Sequence, residues 1–185
     1  MLTLKHQDNK TLALGAVAGL AVGLAANVVR KVVVQAPTFT AGRWDEALAA
    51  EHKATLALFD QIGRTTDSQT TRRNMLLTQL KHALAKHAFQ EENAVYPALR
   101  DHAQTEAADH LNHDHGYVKQ YLYELTLMPR DDTGWLPTVR EFRMTLEKHM
   151  HEEEDTVFPR LYRTLSAEQN KSLTVAMNKE GLKVA

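Results

Sequence analysis

One spacing constrains this chain more than any other feature. His87-x-x-x-Glu91 recurs as His149-x-x-x-Glu153, and each copy runs on to an aromatic–proline pair at the same offset, Tyr96-Pro97 and Phe158-Pro159. Each copy is also preceded by an acid–His pair, Glu51-His52 before the first and Asp114-His115 before the second. Residues four apart lie on one face of a helix, about 40° apart around its axis. Two such helices, with two more carrying one histidine each, can turn six nitrogen and oxygen donors toward one point. That is the donor set of a carboxylate-bridged dinuclear metal site inside a four-helix bundle.

The apolar periodicity supplies those helices. Leu48, His52, Phe59 and Ile62 define a first helix over about residues 43–62, stopped at Gly63. Thr66-x-x-Gln69 reads as a capping box opening the second, whose stripe is Leu77, Leu80, Leu84, His87, Glu91, Val95 and Ala98. A third, over about 105–127, carries Leu111, His115, Val118, Leu122 and Leu125. The fourth, over about 135–165, carries Trp135, Val139, Phe142, Leu146, His149, Glu153 and Val157. A short tail helix opens at Ser166-x-x-Gln169, with Gly181 as its stop. The fold class is therefore all-α: an up-down-up-down four-helix bundle over 43–165, with a C-terminal helix and tail over 166–185.

His52, His87, Glu91, His115, His149 and Glu153 occupy stripe positions that leucine would otherwise fill. Burying such groups unpaired costs several kcal/mol each, so they must neutralise one another around positive charge. Two divalent cations would do so. The loop positions also put Glu91, His115 and His149 in one layer of antiparallel helices. His52 and His87 match less well, and the first loop would have to climb about 12 Å to align them. Of the remaining histidines, His6, His102, His113 and His151 read as surface groups. His82 and His110 precede a site histidine by five residues, and are read as interface residues or as additional ligands. Glu51, Glu92, Asp114 and Glu154 flank the donors, either orienting the imidazoles or lying on the surface.

Cysteine is absent, which excludes disulfides, thiolate zinc sites and a cysteine nucleophile. Imidazole and carboxylate suit iron, manganese or zinc. The net charge of −1 gives no electrostatic case for nucleic acid.

Residues 1–36 pose a separate question. Leu12 to Val29 is free of charge, and eighteen helical residues span about 27 Å, just short of a hydrocarbon core. Gly15, Gly19 and Gly23 repeat every four residues, a spacing that lets helix backbones approach closely in lipid and offers a homo-oligomer contact. The segment is expected to be a single membrane anchor, with a cleaved signal or a buried hydrophobic contact as alternatives. Arg30-Lys31 favours an orientation with the bundle facing the cytoplasm, and a soluble cytoplasmic protein is the alternative. Residues 35–42 read as a linker, with Pro37 and Gly42 as breakers.

Residues 45–161, with both His-x-x-x-Glu units, their aromatic–proline tails and the tract ADHLNHDHGYVKQYLYEL, resemble the hemerythrin-like family of HHE cation-binding domains. The resemblance implies a non-haem di-iron centre. His52, His87, His115 and His149 would be terminal ligands, Glu91 and Glu153 bridges, and oxygen, nitric oxide or peroxide the small ligand. The chain departs from the oxygen carriers of that family. Leu111 stands four residues before His115 where a second histidine would be, and the fourth helix has His-x-x-x-Glu in place of a longer-spaced His and Asp pair. That puts reversible transport in doubt and favours sensing, iron handling or oxidative-stress protection. Peroxide decomposition would call for a proton donor, for which Tyr117 and Tyr121 are candidates beside a packing role. A metal-stapled bundle serving membrane assembly is the structural alternative.

Overall fold

Leu48, His52, Thr55, Phe59 and Ile62 recur in steps of three and four, and the helix they specify, α1, spans Trp44–Gly63 with that stripe buried. In the computed structural model, which describes residues 42–185, the chain is all-α with no strand among the described residues. The expected anchor over residues 12–29, with Gly15, Gly19 and Gly23, lies outside the described residues, as do His6 and the rest of 1–36. Among the described residues no helix is long and apolar enough to cross a membrane.

Helix α2 spans Thr70–Gln90 and continues through a π-helical turn, Glu91–Val95, into α3, Tyr96–Asp101. Helix α4 spans Thr105–Leu127. Helix α5, Trp135–Glu152, passes through a second π turn, Glu153–Val157, into α6, Phe158–Thr164. Helix α7 spans Ala167–Val184. These form five helical rods.

Direction follows from which ends share a core. Phe59 and Ile62, late in α1, pack with Leu76, Leu77 and Leu80, early in α2. Trp44 and Leu48, early in α1, pack with Val95, Tyr96 and Leu99. Opposite ends therefore meet, and the first two rods are antiparallel. The same two clusters take Val118 and Leu125 on one side and Ala108 and Leu111 on the other, so α4 also lies across both. The donor residues sit between the clusters, sealed above and below by apolar packing.

Three local expectations change. Helix α2 begins at Thr70, not near Thr66, because only half of the capping box forms. The Thr66 N–H donates to Gln69 Oε1, while the Thr66 hydroxyl pairs with Ser68. With the first helix running to Gly63 and the second starting at Thr70, the climb between His52 and His87 shortens to about 9 Å. Arg73, fully buried, braces that loop through Thr65 Oγ1 at 2.9 Å and Asp67 Oδ1 at 2.8 Å. The C-terminal helix is not short, and Gly181 does not stop it: the glycine is buried within α7. Ser166 and Gln169 do form the expected capping box. Leu173 and Met177 join the core beside Trp44, whose indole N–H donates to Asn170 Oδ1 at 2.9 Å.

Both π turns have the same cause. A proline cannot donate a backbone hydrogen bond, and its ring clashes with the carbonyl four residues earlier. Pro97 and Pro159 stand just after turns that are widened by one residue. The Tyr96 N–H bonds back to the Glu91 carbonyl, and the Phe158 N–H to that of Glu153. On a regular helix Tyr96 would lie about 140° from Glu91. The wider turn brings it round to the same side.

Candidate metal centre

All six donor residues expected from the sequence meet in the middle layer. His52 comes from α1, His87 and Glu91 from the end of α2 and its π turn, His115 from α4, and His149 and Glu153 from the end of α5 and its π turn. Each is at least 95 % buried, and Glu91 and Glu153 are completely so.

The two carboxylates divide their oxygens. Glu91 turns Oε1 to His87 Nε2 at 3.2 Å and Oε2 to His115 Nε2 at 3.3 Å. Glu153 turns Oε2 to His52 Nε2 at 3.4 Å and Oε1 to His149 Nε2 at 3.4 Å. His52 and His87 face each other with Nε2 atoms 2.9 Å apart, and the His115 and His149 rings are 5.2 Å apart. Two histidine pairs result, each served by one oxygen from each carboxylate. Donor atoms of His52, His87, Glu91 and Glu153 lie within 4.8 Å of one another, as do those of Glu91, His115 and His149.

Several of these atoms are close without being hydrogen-bonded. Glu91 Oε1, Glu153 Oε2 and both ring nitrogens of His149 are buried with no hydrogen-bond partner. Short distances without alignment arise when groups point at a common centre and not at each other. An orphaned buried oxygen costs about 1–3 kcal/mol, more when charged, and a cation at that centre removes the cost. The residues present fit a metal pair.

A ring of acids fixes the imidazoles from behind. Glu51 on α1 reaches His87 Nδ1 at 3.3 Å, and Glu92 on the π turn after α2 reaches His115 Nδ1 at 2.9 Å. Asp114 on α4 lies 3.5 Å from His149 Nδ1, and Glu154 after α5 reaches His52 Nδ1 at 2.6 Å. Each acid is the sequence neighbour of one donor and serves a histidine on the next rod, closing a cycle. With Nδ1 of His52, His87 and His115 bonded outward, the Nε2 lone pair of each neutral ring is left for the centre. Glu51, Glu92 and Glu154 orient the imidazoles they bond, whereas Asp114 stands behind His149 without a hydrogen bond to it.

Burial alone would lower the imidazole pKa values. The carboxylates overturn it: Glu91, Glu92 and Glu153 bring His115 up to about 9, and Glu91 and Glu51 hold His87 well above its usual range. Burial would raise Glu51, but His87 and Lys86 bring it down to about 2. Glu91, despite complete burial, is held far below the usual carboxylate range by His87 and His115.

Sequence reasoning missed Tyr96. Its hydroxyl lies 3.1 Å from His115 Nε2, 3.2 Å from Glu153 Oε1 and 3.5 Å from Glu91 Oε2. Burial, then the charges of Glu91 and Glu153, push its pKa well above 10, so it stays a phenol. The repeated aromatic–proline offset was the available signal, since Phe158 occupies the matching place beside His52 with rings 6.4 Å apart. The expected proton donors are elsewhere. Tyr117 is exposed against His113, and Tyr121 stacks on Phe142.

The other described histidines stay outside the layer. His82, His113 and His151 are exposed, and His102 is half-buried with its Nδ1 on the Ala98 carbonyl at 2.8 Å. His110 is also outside, beside Asp114 and Glu152.

Between α2 and α4 lies an apolar cavity of about 260 Å³, lined by Leu84, Ala88, Phe89 and Val118, with Glu92 and His115 as its polar wall.

The hemerythrin HHE cation-binding domain model matches residues 45–161. An uncharacterized hemerythrin-like protein of Schizosaccharomyces pombe is 29 % identical over 131 residues, 69 % of this chain and 64 % of the relative. The chain thus spans under two thirds of that relative's length. No solved structure gives a significant match.

Proposed function

The chain belongs to the hemerythrin HHE cation-binding family, and from that premise we propose that it is a non-haem di-iron protein acting on a small oxidant or diatomic ligand: oxygen, nitric oxide or peroxide. The observation that carries this reading is the division of Glu91 and Glu153, one oxygen of each toward His52 and His87 and the other toward His115 and His149. One metal would be held by the first pair, one by the second, with both carboxylates bridging. Iron is preferred over manganese or zinc on the family's precedent and the all-nitrogen-and-oxygen donor set. When bound, such a pair supplies open coordination positions and one-electron redox chemistry.

The chain's own residues do the rest. The acid ring keeps the imidazoles in the metal-binding tautomer. The two apolar clusters exclude bulk water above and below the layer. The cavity between α2 and α4 offers a small apolar ligand a way to the His115 wall. Tyr96 holds a proton at Oη among Glu91, His115 and Glu153.

Sensing or buffering of the ligand, iron handling and oxidative-stress protection all use this site. A second reading, peroxide decomposition, is favoured by Tyr96, because turnover needs a proton donor beside the metals. In both, residues 12–29 would tether the bundle to a membrane with its metal centre facing the cytoplasm, and Gly15, Gly19 and Gly23 would support self-association.

The test is metal content and the optical spectrum of the anaerobically purified protein, before and after oxygen or peroxide. Two irons per chain with new charge-transfer bands on oxidation is the expected result. One zinc, or no metal, with no response to oxidant would leave the helices standing and shift the function to structural assembly.

A further inference from the structure

We propose that His110, Asp114 and Glu152 form an outer divalent-cation site that loads the buried centre through His149. The proposal rests on the dinuclear reading above. His110-x-x-x-Asp114 on α4 repeats the histidine–acid spacing of the buried motifs, one face of one helix. Glu152 comes from the end of α5. His110 Nε2 lies 3.3 Å from Glu152 Oε2 and 3.9 Å from Asp114 Oδ2, and the three donors fall within 4.8 Å of one another. Their side chains are 53 %, 25 % and 35 % exposed for His110, Asp114 and Glu152, so hydrated metal can reach them. One imidazole and two carboxylates suit manganese, ferrous iron or zinc, with water completing the shell.

The link inward is Asp114 Oδ2, which also lies 3.5 Å from His149 Nδ1. The acid ring is uneven at this point. Glu51 and Glu92 are neutralised from outside by Lys86 at 2.7 Å and Lys119 at 3.1 Å. Asp114 has only His110 in that place, at 3.9 Å, a side chain that can share a metal with it. His149 is also unlike the other three imidazoles. His52, His87 and His115 are hydrogen-bonded at Nδ1, whereas both nitrogens of His149, a residue only 4 % exposed, have no hydrogen-bond partner. The ring nearest the outer cluster is thus the one least held. Turning toward a cation on Asp114, and back to the position facing Glu153, would break no hydrogen bond of this ring.

The test uses the full chain and two probes. With the tight metals in place, titration with Mn²⁺, read from the free-ion EPR signal, should show one further and weaker site per chain, lost in His110→Ala and Glu152→Gln. In the metal-free protein, anaerobic Fe²⁺ uptake should slow about tenfold in the same variants, the scale on which groups beyond the ligands act. The final tight stoichiometry should stay at the wild-type value. No additional Mn²⁺ in the wild type, or variants that load at the wild-type rate, would overturn the proposal. A wild-type tight stoichiometry below two strikes instead at the dinuclear reading, and the Mn²⁺ result still decides the outer site.

Discussion

The Tyr96 hydroxyl donates to Glu153 Oε1 across 3.2 Å, although the two residues stand on different rods and fifty-seven positions apart. It ties one carboxylate to the other's rod and places a proton within the donor set. The proline-widened turn after Glu91 makes this contact possible.

Tyr96→Phe should therefore keep the fold, because the ring remains in the core. Removing the hydroxyl leaves Glu153 Oε1 and His115 Nε2 without that partner, which costs about 1–3 kcal/mol in the metal-free protein. The metal pair should be retained but held about tenfold less tightly, as read by competition with a chelator. If Tyr96 is the proton donor, peroxide consumption should fall while metal content holds.

Glu91→Ala and Glu153→Ala should each lose the metal pair, since each carboxylate serves both histidine pairs. His151→Ala, exposed and bonded to the Glu147 carbonyl at 2.7 Å, should retain it. Equal metal content in all three proteins would remove the basis of the assignment.

The acid ring predicts graded effects. Glu92→Gln and Glu154→Gln keep a hydrogen-bond acceptor but remove the charge behind His115 and His52. Each should weaken metal binding by about 10–100-fold without unfolding the protein. Lys119→Met removes only an exposed ion pair with Glu92 and should leave metal affinity near wild type.

Metal-free protein should lose stability as pH rises. His115 is raised from 6.5 to about 9 when folded, so its contribution is complete below about pH 6.5 and disappears as pH climbs through 9. The loss should approach about 3 kcal/mol, seen as a falling melting temperature over that window. Glu51, depressed from 4.5 to about 2, acts oppositely: its contribution is present above 4.5 and disappears as pH falls through 2. Loaded protein should not show the alkaline loss, because metal and not protons then occupies the imidazoles.

Deleting residues 1–34 should release the protein from membranes and leave its metal content unchanged. Sedimentation of lysate fractions together with metal analysis tests both halves of that statement.

The sequence alone determined most of the helices and which six polar residues meet in the buried layer. Stripe periodicity located α1, α4 and α5 to within a residue or two at their starts, and polar residues at leucine positions marked His52, His87, Glu91, His115, His149 and Glu153 as the ones that are buried together. Both signals are local, because a buried polar side chain is costly wherever its helix packs. Tertiary structure decided the rest. Pairing of Glu51, Glu92, Asp114 and Glu154 with histidines on neighbouring rods depends on how the rods sit together, and the sequence equally allowed those acids to face solvent. Tyr96 lay off the α-helical stripe until the π turn rotated it inward. Helix α7 read as a short tail because its burial depends on Trp44 and the α2 face that receive it, and no spacing within residues 167–184 reports that partner.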